Sequence, residues 1–341
     1  MQFLKLPSHD VYQNLATEEY FLVHKPTALF MLWINENCIV LGKNQNSYKE
    51  VNQDYVDKHK IKVVRRMTGG GAVFHDLGNL NFTFIEREKD GHFLNFKKFL
   101  KPVVRTLERL GIKAQISGRN DILIDGRKFS GSAQSLVKGW IIHHGTIMFS
   151  VSTSHVSKAL NVNPLKIKAK GLDSVKSRIT NIKDHLKAPL SINQFCEMLL
   201  AEVLRDFPAM TPYELTEEDK HQIELLRTNK YATWAHNYGQ NPQYELNNTL
   251  YVPSVGLVEV YLNVENGLIS DLKFYGDFFG KKDIAYVENH LRKIRYSRED
   301  ILRRLSEIND FNDYFNNLEP AVLADLVVGL VPQEGVKKIW K

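Results

Sequence analysis

The stretch Arg65-Arg66-Met67-Thr68-Gly69-Gly70-Gly71-Ala72-Val73-Phe74-His75-Asp76 sets three successive glycines directly after two arginines. Glycine reaches positive φ and carries no Cβ, so an anion can lie directly on the peptide N–H groups of such a loop. Guanidinium binds carboxylate or phosphate through two parallel hydrogen bonds, and a fixed positive charge beside the loop suits either anion. The spacing is not that of a nucleotide P-loop, because no Gly-Lys-Ser/Thr closes it. It is not a dinucleotide fingerprint either, since no helical pattern follows the glycines.

A second group lies in Asn120-Asp121-Ile122-Leu123-Ile124-Asp125-Gly126-Arg127-Lys128-Phe129-Ser130-Gly131-Ser132. Asp-Gly between two apolar runs marks a two-residue hairpin turn. With Asp125-Gly126 as the turn, Leu123 faces Lys128 and Asp121 faces Ser130. Opposed residues share a sheet face, as do alternate residues along one strand, so a carboxylate, an ammonium and a hydroxyl are expected together on that face. The alternative is an exposed hairpin whose Lys–Asp pair has little energetic weight. His143-His144-Gly145-Thr146 opens a further apolar run. Neighbours on a strand point to opposite faces, so one histidine is expected in the core and one in a site wall, and the spacing supplies no third metal ligand.

The elements that must hold these groups follow from periodicity. Ile61–Val64 and Leu80–Ile85 read as strands on either side of the glycine segment. Residues 10–24 read as a helix with Glu19 inside its apolar stripe. A carboxylate there needs a buried partner or a site to face. Ala28–Trp33 and Ile39–Leu41 read as adjacent strands joined by a turn at Asn35–Asn37. Residues 95–110 read as a helix in which Pro102 predicts a kink or an early break. Helices at 191–207, with a Ser191 cap, and at 217–227 follow. From about residue 248 the pattern changes to a hairpin with an Asn266-Gly267 turn and then short helices. The expected organisation is a catalytic domain over residues 1–246 and a small α/β accessory domain over 247–341. Lys166–Arg178, rich in Lys, Gly and Ser, suits a mobile loop able to close over a phosphate.

The chain has 341 residues, 43% of them hydrophobic, enough for a full core and more than one domain. No apolar run approaches the ~20 residues that span a bilayer. Two cysteines form no disulfide framework, and the N-terminal residues resemble neither a signal nor a transit peptide. These features predict a cytoplasmic protein with no membrane partner. The net charge of +6 is spread along the chain and interleaved with acidic residues. It forms no basic stripe with stacking aromatics, which argues against a nucleic-acid partner.

Read together, the motifs resemble those of the lipoate–protein ligase A family. The likeness is carried by Arg65-Arg66-x-Thr68 with the glycines through Asp76, Asn120-Asp121-Ile122, Lys128 through Ala133, His144-Gly145-Thr146, Lys170-Gly171 with Ser174 through Arg178, and Lys230-Tyr231-x-x-Trp234. Thr68 stands where the family often has serine, which keeps the hydroxyl. The resemblance implies an α+β fold: a biotin/lipoate-ligase-like catalytic domain of mixed sheets flanked by helices, plus a small C-terminal domain that moves during the cycle. It implies ATP, with Mg²⁺ as its substrate complex, and lipoate as substrates, lipoyl-AMP as the intermediate, and lipoyl-acceptor domains of 2-oxoacid dehydrogenases and the glycine-cleavage H protein as partners. By the same resemblance Lys128 is catalytic. Arg66, Gly70, Gly71, Ala72, Val73, Phe74, Asn120, Lys128 and Thr146 hold ATP or the adenylate. Arg66, Val73, Lys128 and His144 meet lipoate, and Asp121 helps to hold Mg²⁺. Val73 and Phe74 are expected to line the tunnel for the lipoyl tail.

The alternative inside the superfamily is a protein octanoyltransferase or lipoyltransferase working through an acyl-enzyme. That chemistry needs a cysteine in an electropositive, partly exposed setting. Cys196 falls among apolar residues of a helix and Cys38 begins an apolar strand, so the ATP route is preferred. A biotin ligase is disfavoured because its glycine loop is normally interleaved with arginine. A non-catalytic scaffold that docks lipoyl domains would release no pyrophosphate.

Overall fold

The structure is a computed structural model that describes residues 1–89, 91–118, 120–161, 179–238 and 245–330, apart from the Tyr48 side chain. The expected 166–178 loop lies outside the described residues. Its centre is an eight-stranded mixed sheet. In chain order the strands are β1 (Gln2–Lys5), β2 (Leu29–Ile34), β3 (Cys38–Leu41), β4 (Lys62–Arg65), β5 (Val73–His75), β6 (Asn79–Arg87), β7 (Ala114–Ser117), β8 (Asp121–Ile124), β9 (Arg127–Val137), β10 (Trp140–Met148) and β11 (Thr211–Pro212). The main sheet runs β11-β1-β2-β6-β10-β9-β8-β7, while β4-β3-β5 form a small sheet beside it. β2 and β3 therefore do not pair as neighbours: the Asn35–Asn37 connection carries the chain from one sheet to the other. Local alternation identifies a strand but says nothing about its partner.

One face of the main sheet is covered by helices Phe96–Arg109 and Ile192–Asp206, and the shared core includes Phe82, Phe84, Phe99, Leu100, Phe129 and Phe195. The first of these helices runs unbroken through Pro102. Pro102 is buried on a face whose apolar neighbours dock on the sheet, and that packing outweighs the one backbone bond that proline removes. The other face is covered by Val11–Glu19, which continues as a π-turn through Tyr20–His24, and by Glu217–Leu226. Ser191 caps its helix with a reciprocal Gln194 bond, as the sequence predicts.

Beyond residue 245 a three-stranded sheet, β12 (Leu246–Val252), β13 (Gly256–Glu265) and β14 (Leu268–Gly276), packs with short helices around its own apolar cluster. The fold is α+β, a large mixed sheet in the catalytic part plus a C-terminal domain. Among the described residues no helix is long and apolar enough to cross a membrane.

Candidate functional site

The register of the main sheet builds a floor. Trp33 pairs with Asn81, Asn81 with Thr146, Thr146 with Gly131, and Gly131 with Asp121. Opposed residues share a face, so these five form a row across β2, β6, β10, β9 and β8. A parallel row is Met31, Thr83, His144 and Ala133. Strands lie ~4.8 Å apart, so β9 to β2 spans roughly 14 Å, room for an extended medium-chain acid lying across the strands. A cavity follows this floor and is walled by Arg66, Gly70, Gly71, Ala72, Val73 and His75. Asn120, Lys128, His144 and Thr146 also line it. It has a cationic end at Lys128 and an aromatic end at Trp33.

At the cationic end the hairpin departs from the simple register. Leu123 faces Lys128 as expected, but a bulge at Phe129 shifts the pairing so that Asp121 faces Gly131 and Ser130 faces Ile122. Ser130 thus turns into the core, and Gly131 takes the place expected for it. One extra residue reverses which side chains share a face, and the sequence pattern alone does not announce it. Gly131 matters here, because a Cβ would stand 2.6 Å from Lys128 Nζ. The bare backbone lets the ammonium lie flat and reach Asp121 Oδ1 at 2.7 Å.

The glycine loop is held from inside. The buried Arg66 guanidinium donates to Gly69 O at 2.7 Å, Gly71 O at 2.9 Å and Val40 O at 3.1 Å. Its Nε donates to Thr68 Oγ1 at 2.9 Å. Gly70 lies at φ +91°, the region that favours glycine. Burial draws the Arg66 pKa down to about 10, with Glu18 and Asp277 opposing the fall, so the group stays charged at neutral pH.

A hydrogen-bonded chain continues from it. The Thr68 hydroxyl lies 2.7 Å from His144 Nε2, and His144 Nδ1 lies 3.0 Å from Glu18 Oε1. The Thr83 hydroxyl also donates to Glu18, at 2.6 Å. One assignment satisfies every atom: His144 gives Nδ1–H to Glu18 and receives the Thr68 hydroxyl at Nε2. Serine at position 68 would serve equally. His143 points the other way and stacks on Phe99 at 4.6 Å between ring centroids, so the pair divides into core and wall as expected.

Two expectations change. Arg65 does not join Arg66 at the loop. Its guanidinium donates to Gly42 O, Lys43 O, Gln45 O, the Ser47 hydroxyl and Asn237 O, because successive strand residues face opposite ways. The Phe74 side chain, for the same reason, leaves the cavity to Val73 and packs against His155 at 5.9 Å. Only the Phe74 backbone remains near the loop. Asp121, the carboxylate expected to help hold a cation, stands at the cationic end beside Lys128. A hard ion there would take most of its oxygens from a nucleotide and water.

The C-terminal domain sits on this loop. Gly276 N donates to Asn44 O at 2.7 Å, Lys43 pairs with Asp283 at 3.0 Å, and Phe279 is buried among catalytic-domain residues beside Phe96.

Known proteins share this arrangement. The family model described as "Lipoyl protein ligase A/B catalytic domain" matches residues 10–204, and "Bacterial lipoate protein ligase C-terminus" matches residues 241–327. Lipoate-protein ligase LplJ of Bacillus subtilis is 42% identical over 318 residues, covering 92% of this chain and 96% of that one. The chain belongs to the lipoate–protein ligase family. Lipoate–protein ligase activity follows from that membership. P. falciparum LipL1, solved in complex with lipoate, superposes with TM-score 0.74 at 26% identity, covering 98% of this chain and 99% of that one. A bipartite lipoate protein ligase from Thermoplasma acidophilum, studied with its E2 lipoyl domain, superposes at TM-score 0.61 and 26% identity, covering 72% of this chain and 98% of that one.

Sequence reasoning singled out Glu19 in the ligase and passed over Glu18. Glu19 accepts from Lys230 at 2.6 Å and the Tyr231 hydroxyl at 2.7 Å, a structural pairing within the Lys230-Tyr231 motif. Glu18, one position earlier, is the carboxylate that faces the cavity wall. The adjacent acidic pair at the end of an otherwise uncharged helix was the available signal.

Two buried histidines make the ligase acid-sensitive. Burial, with Arg66 and His144 nearby, pushes His75 down to about 3 from the usual 6.5, and burial lowers His143 as well. His75 stays neutral in the fold while its unfolded counterpart takes up a proton below 6.5, and His143 is shifted the same way, so stability falls as pH drops below 6.5. The expected loss from His75 is about 2 kcal/mol between neutral pH and pH 5. Urea midpoints at neutral pH and pH 5 measure it, and His143→Phe should reduce the dependence.

Proposed function

We propose that this ATP-dependent lipoate–protein ligase activates lipoate as lipoyl-AMP at the Lys128 end of the cavity and then passes the acyl group to a lysine of a lipoyl-acceptor domain. In the first step a lipoate carboxylate oxygen forms a bond to the α-phosphorus of ATP, and the bond to the β-phosphate oxygen breaks with pyrophosphate leaving. In the second the acceptor amine attacks the mixed anhydride carbonyl, loses a proton and expels AMP. An anion attacks an anion in the first step, so the site must cancel repulsion with fixed positive charge.

The observation that carries this reading is the placement of Lys128 at the polar end of a cavity whose far end is apolar, under a glycine loop fixed by Arg66. Lys128 stands where carboxylate and α-phosphate must meet. Asn120, Thr146 and the amides of Gly70, Gly71, Ala72, Val73 and Phe74 complete the adenylate pocket, while Val73 and His144 wall the acyl channel. Arg66, with four contacts already committed to the loop and its neighbours, contributes charge and shape. Asp121 is suited to help hold Mg²⁺ on the nucleotide. The catalytic work is assigned to residues 1–246 and the accessory role to 247–341, consistent with the separate apolar cluster beyond residue 245. The acceptors are lipoyl domains of 2-oxoacid dehydrogenase E2 subunits and the glycine-cleavage H protein, and the setting is the cytoplasm.

A thiol route through an acyl-enzyme has little support in the thiols themselves. Cys38 is buried and its pKa is raised by burial, and Cys196 is pushed up to about 11 for the same reason. Cys38→Ala with Cys196→Ala is expected to retain pyrophosphate release and lipoyl transfer, and loss of transfer alone would favour the acyl-enzyme. The direct test supplies ATP and lipoate without acceptor. Pyrophosphate release and a bound lipoyl-AMP support the reading, and their absence from folded protein overturns it.

A further inference from the structure

Lys128 is the cation at which two anionic substrates must meet, yet it already has a counter-ion. Its Nζ lies 2.7 Å from Asp121 Oδ1. Several features build this pair. Asp121 opens β8 opposite Gly131, and the bulge after Lys128 brings the ammonium over that glycine. A Cβ at Gly131 would stand 2.6 Å from Lys128 Nζ, 2.8 Å from its Cε and 3.7 Å from Asp121 Oδ1. One bare glycine therefore seats both partners. The Lys128 backbone is pinned as well, its carbonyl accepting from Thr180 N at 3.0 Å. The side chain is left as the part that can change partners. Both charged groups keep contact with solvent, and Lys128 lines the cavity. A pair of that kind is weakly held and open to exchange.

Resting on the ligase reading above, we infer that Asp121 is a positioning residue that withholds Lys128 from lipoate until Mg·ATP is bound. The argument is one of charge. A lipoate carboxylate that arrives alone meets an ammonium already offset by Asp121, so its net attraction is weak. Adenylation then brings carboxylate and α-phosphate to the same ammonium, and Asp121 would be a third negative group beside them. The Arg66 guanidinium cannot take over, because it is committed to Gly69 O, Gly71 O and Val40 O. The metal carried by the nucleotide offers Asp121 a harder and doubly charged partner. Asp121 exchanges the ammonium for that ion, and the freed ammonium turns to the lipoate carboxylate. Only ionic contacts and hydrogen bonds change in the exchange. The two substrates consequently bind with synergy, and by linkage each tightens the other by the same factor.

The test is calorimetric titration of lipoate into the intact ligase, alone and with α,β-methylene-ATP, whose α–β bridge cannot be cleaved. The analogue is supplied once with Mg²⁺ and once with EDTA. In the wild type, Mg·analogue should lower the lipoate Kd about fivefold, and the analogue in EDTA should leave it nearly unchanged. Asp121→Asn keeps the shape and removes the charge. It should bind lipoate about fivefold tighter than the wild type without nucleotide, and gain less than about twofold more from Mg·analogue. Mere removal of a negative charge would tighten lipoate equally in both conditions, so synergy that persists in Asp121→Asn overturns the inference. A wild type without synergy, or with synergy that survives EDTA, overturns it with no variant needed. Wild-type protein that releases no pyrophosphate from Mg·ATP and lipoate would instead remove the adenylation reading beneath it.

Discussion

Lys128→Ala lowers kcat/KM for pyrophosphate release by about 10²–10³, the loss that follows removal of one preorganised charge donor from an acyl- or phosphoryl-transfer site. Its Nζ is 2.7 Å from Asp121, and the two side chains are 35% and 22% exposed. Exposure on that scale screens the pair, so its contribution to folding is at most about 1 kcal/mol. The variant should keep its melting temperature within a few degrees while losing the reaction. Lys128→Arg should not restore it, because a planar guanidinium cannot lie over Gly131 as the slim ammonium does. Isothermal measurement of pyrophosphate beside a thermal melt separates the two effects. Wild-type turnover in folded Lys128→Ala would remove the role.

Arg66→Ala damages stability as well as catalysis. The guanidinium is buried and donates to Gly69 O, Gly71 O, Val40 O and Thr68 Oγ1. Removing it leaves those buried acceptors without their donor and takes a positive charge away from the buried Glu18 carboxylate. The expected cost is on the order of 3–5 kcal/mol, read as a fall in melting temperature of roughly ten degrees. The glycine loop then loses the shape that presents its amides, so adenylate formation should fall at least as far as in Lys128→Ala. Arg66→Lys should behave nearly as badly, since an ammonium lacks the planar fork that spans two carbonyls of one loop. A variant of Arg66 that is both stable and active would show that the loop organises itself.

The contrast between these two cations marks how far the primary structure could be read. Both were visible as charges beside glycines or aspartate. Which of them is spent on the protein's own carbonyls and which remains at the cavity depends on the contact with Val40, distant in the chain from Arg66, and on the bulge that brings Gly131 against Lys128. Arg65 makes the same point from the other side. It reads as the twin of Arg66, and the strand's alternation sends it to Gly42, Gln45 and Asn237 instead. The Phe129 bulge exchanges Ser130 for Gly131 at Asp121, since a bulge is chosen by packing on both faces at once.

What the chain determined by itself is the set of elements and the kind of chemistry. Period-two and helical patterns, the Asp125-Gly126 and Asn266-Gly267 turns, the Ser191 cap and the conjunction of glycines with arginine are local properties, set by φ/ψ preference and by neighbours within a few residues. Tertiary structure alone decided the partners. β2 and β3 part into different sheets, and five strands from distant segments line up Trp33, Asn81, Thr146, Gly131 and Asp121 into one floor. Glu18, His144, Thr68 and Arg66 meet from three such segments. The reason is physical: a buried polar group takes whichever partner the packed fold brings within bonding distance, and that distance is a property of the whole core.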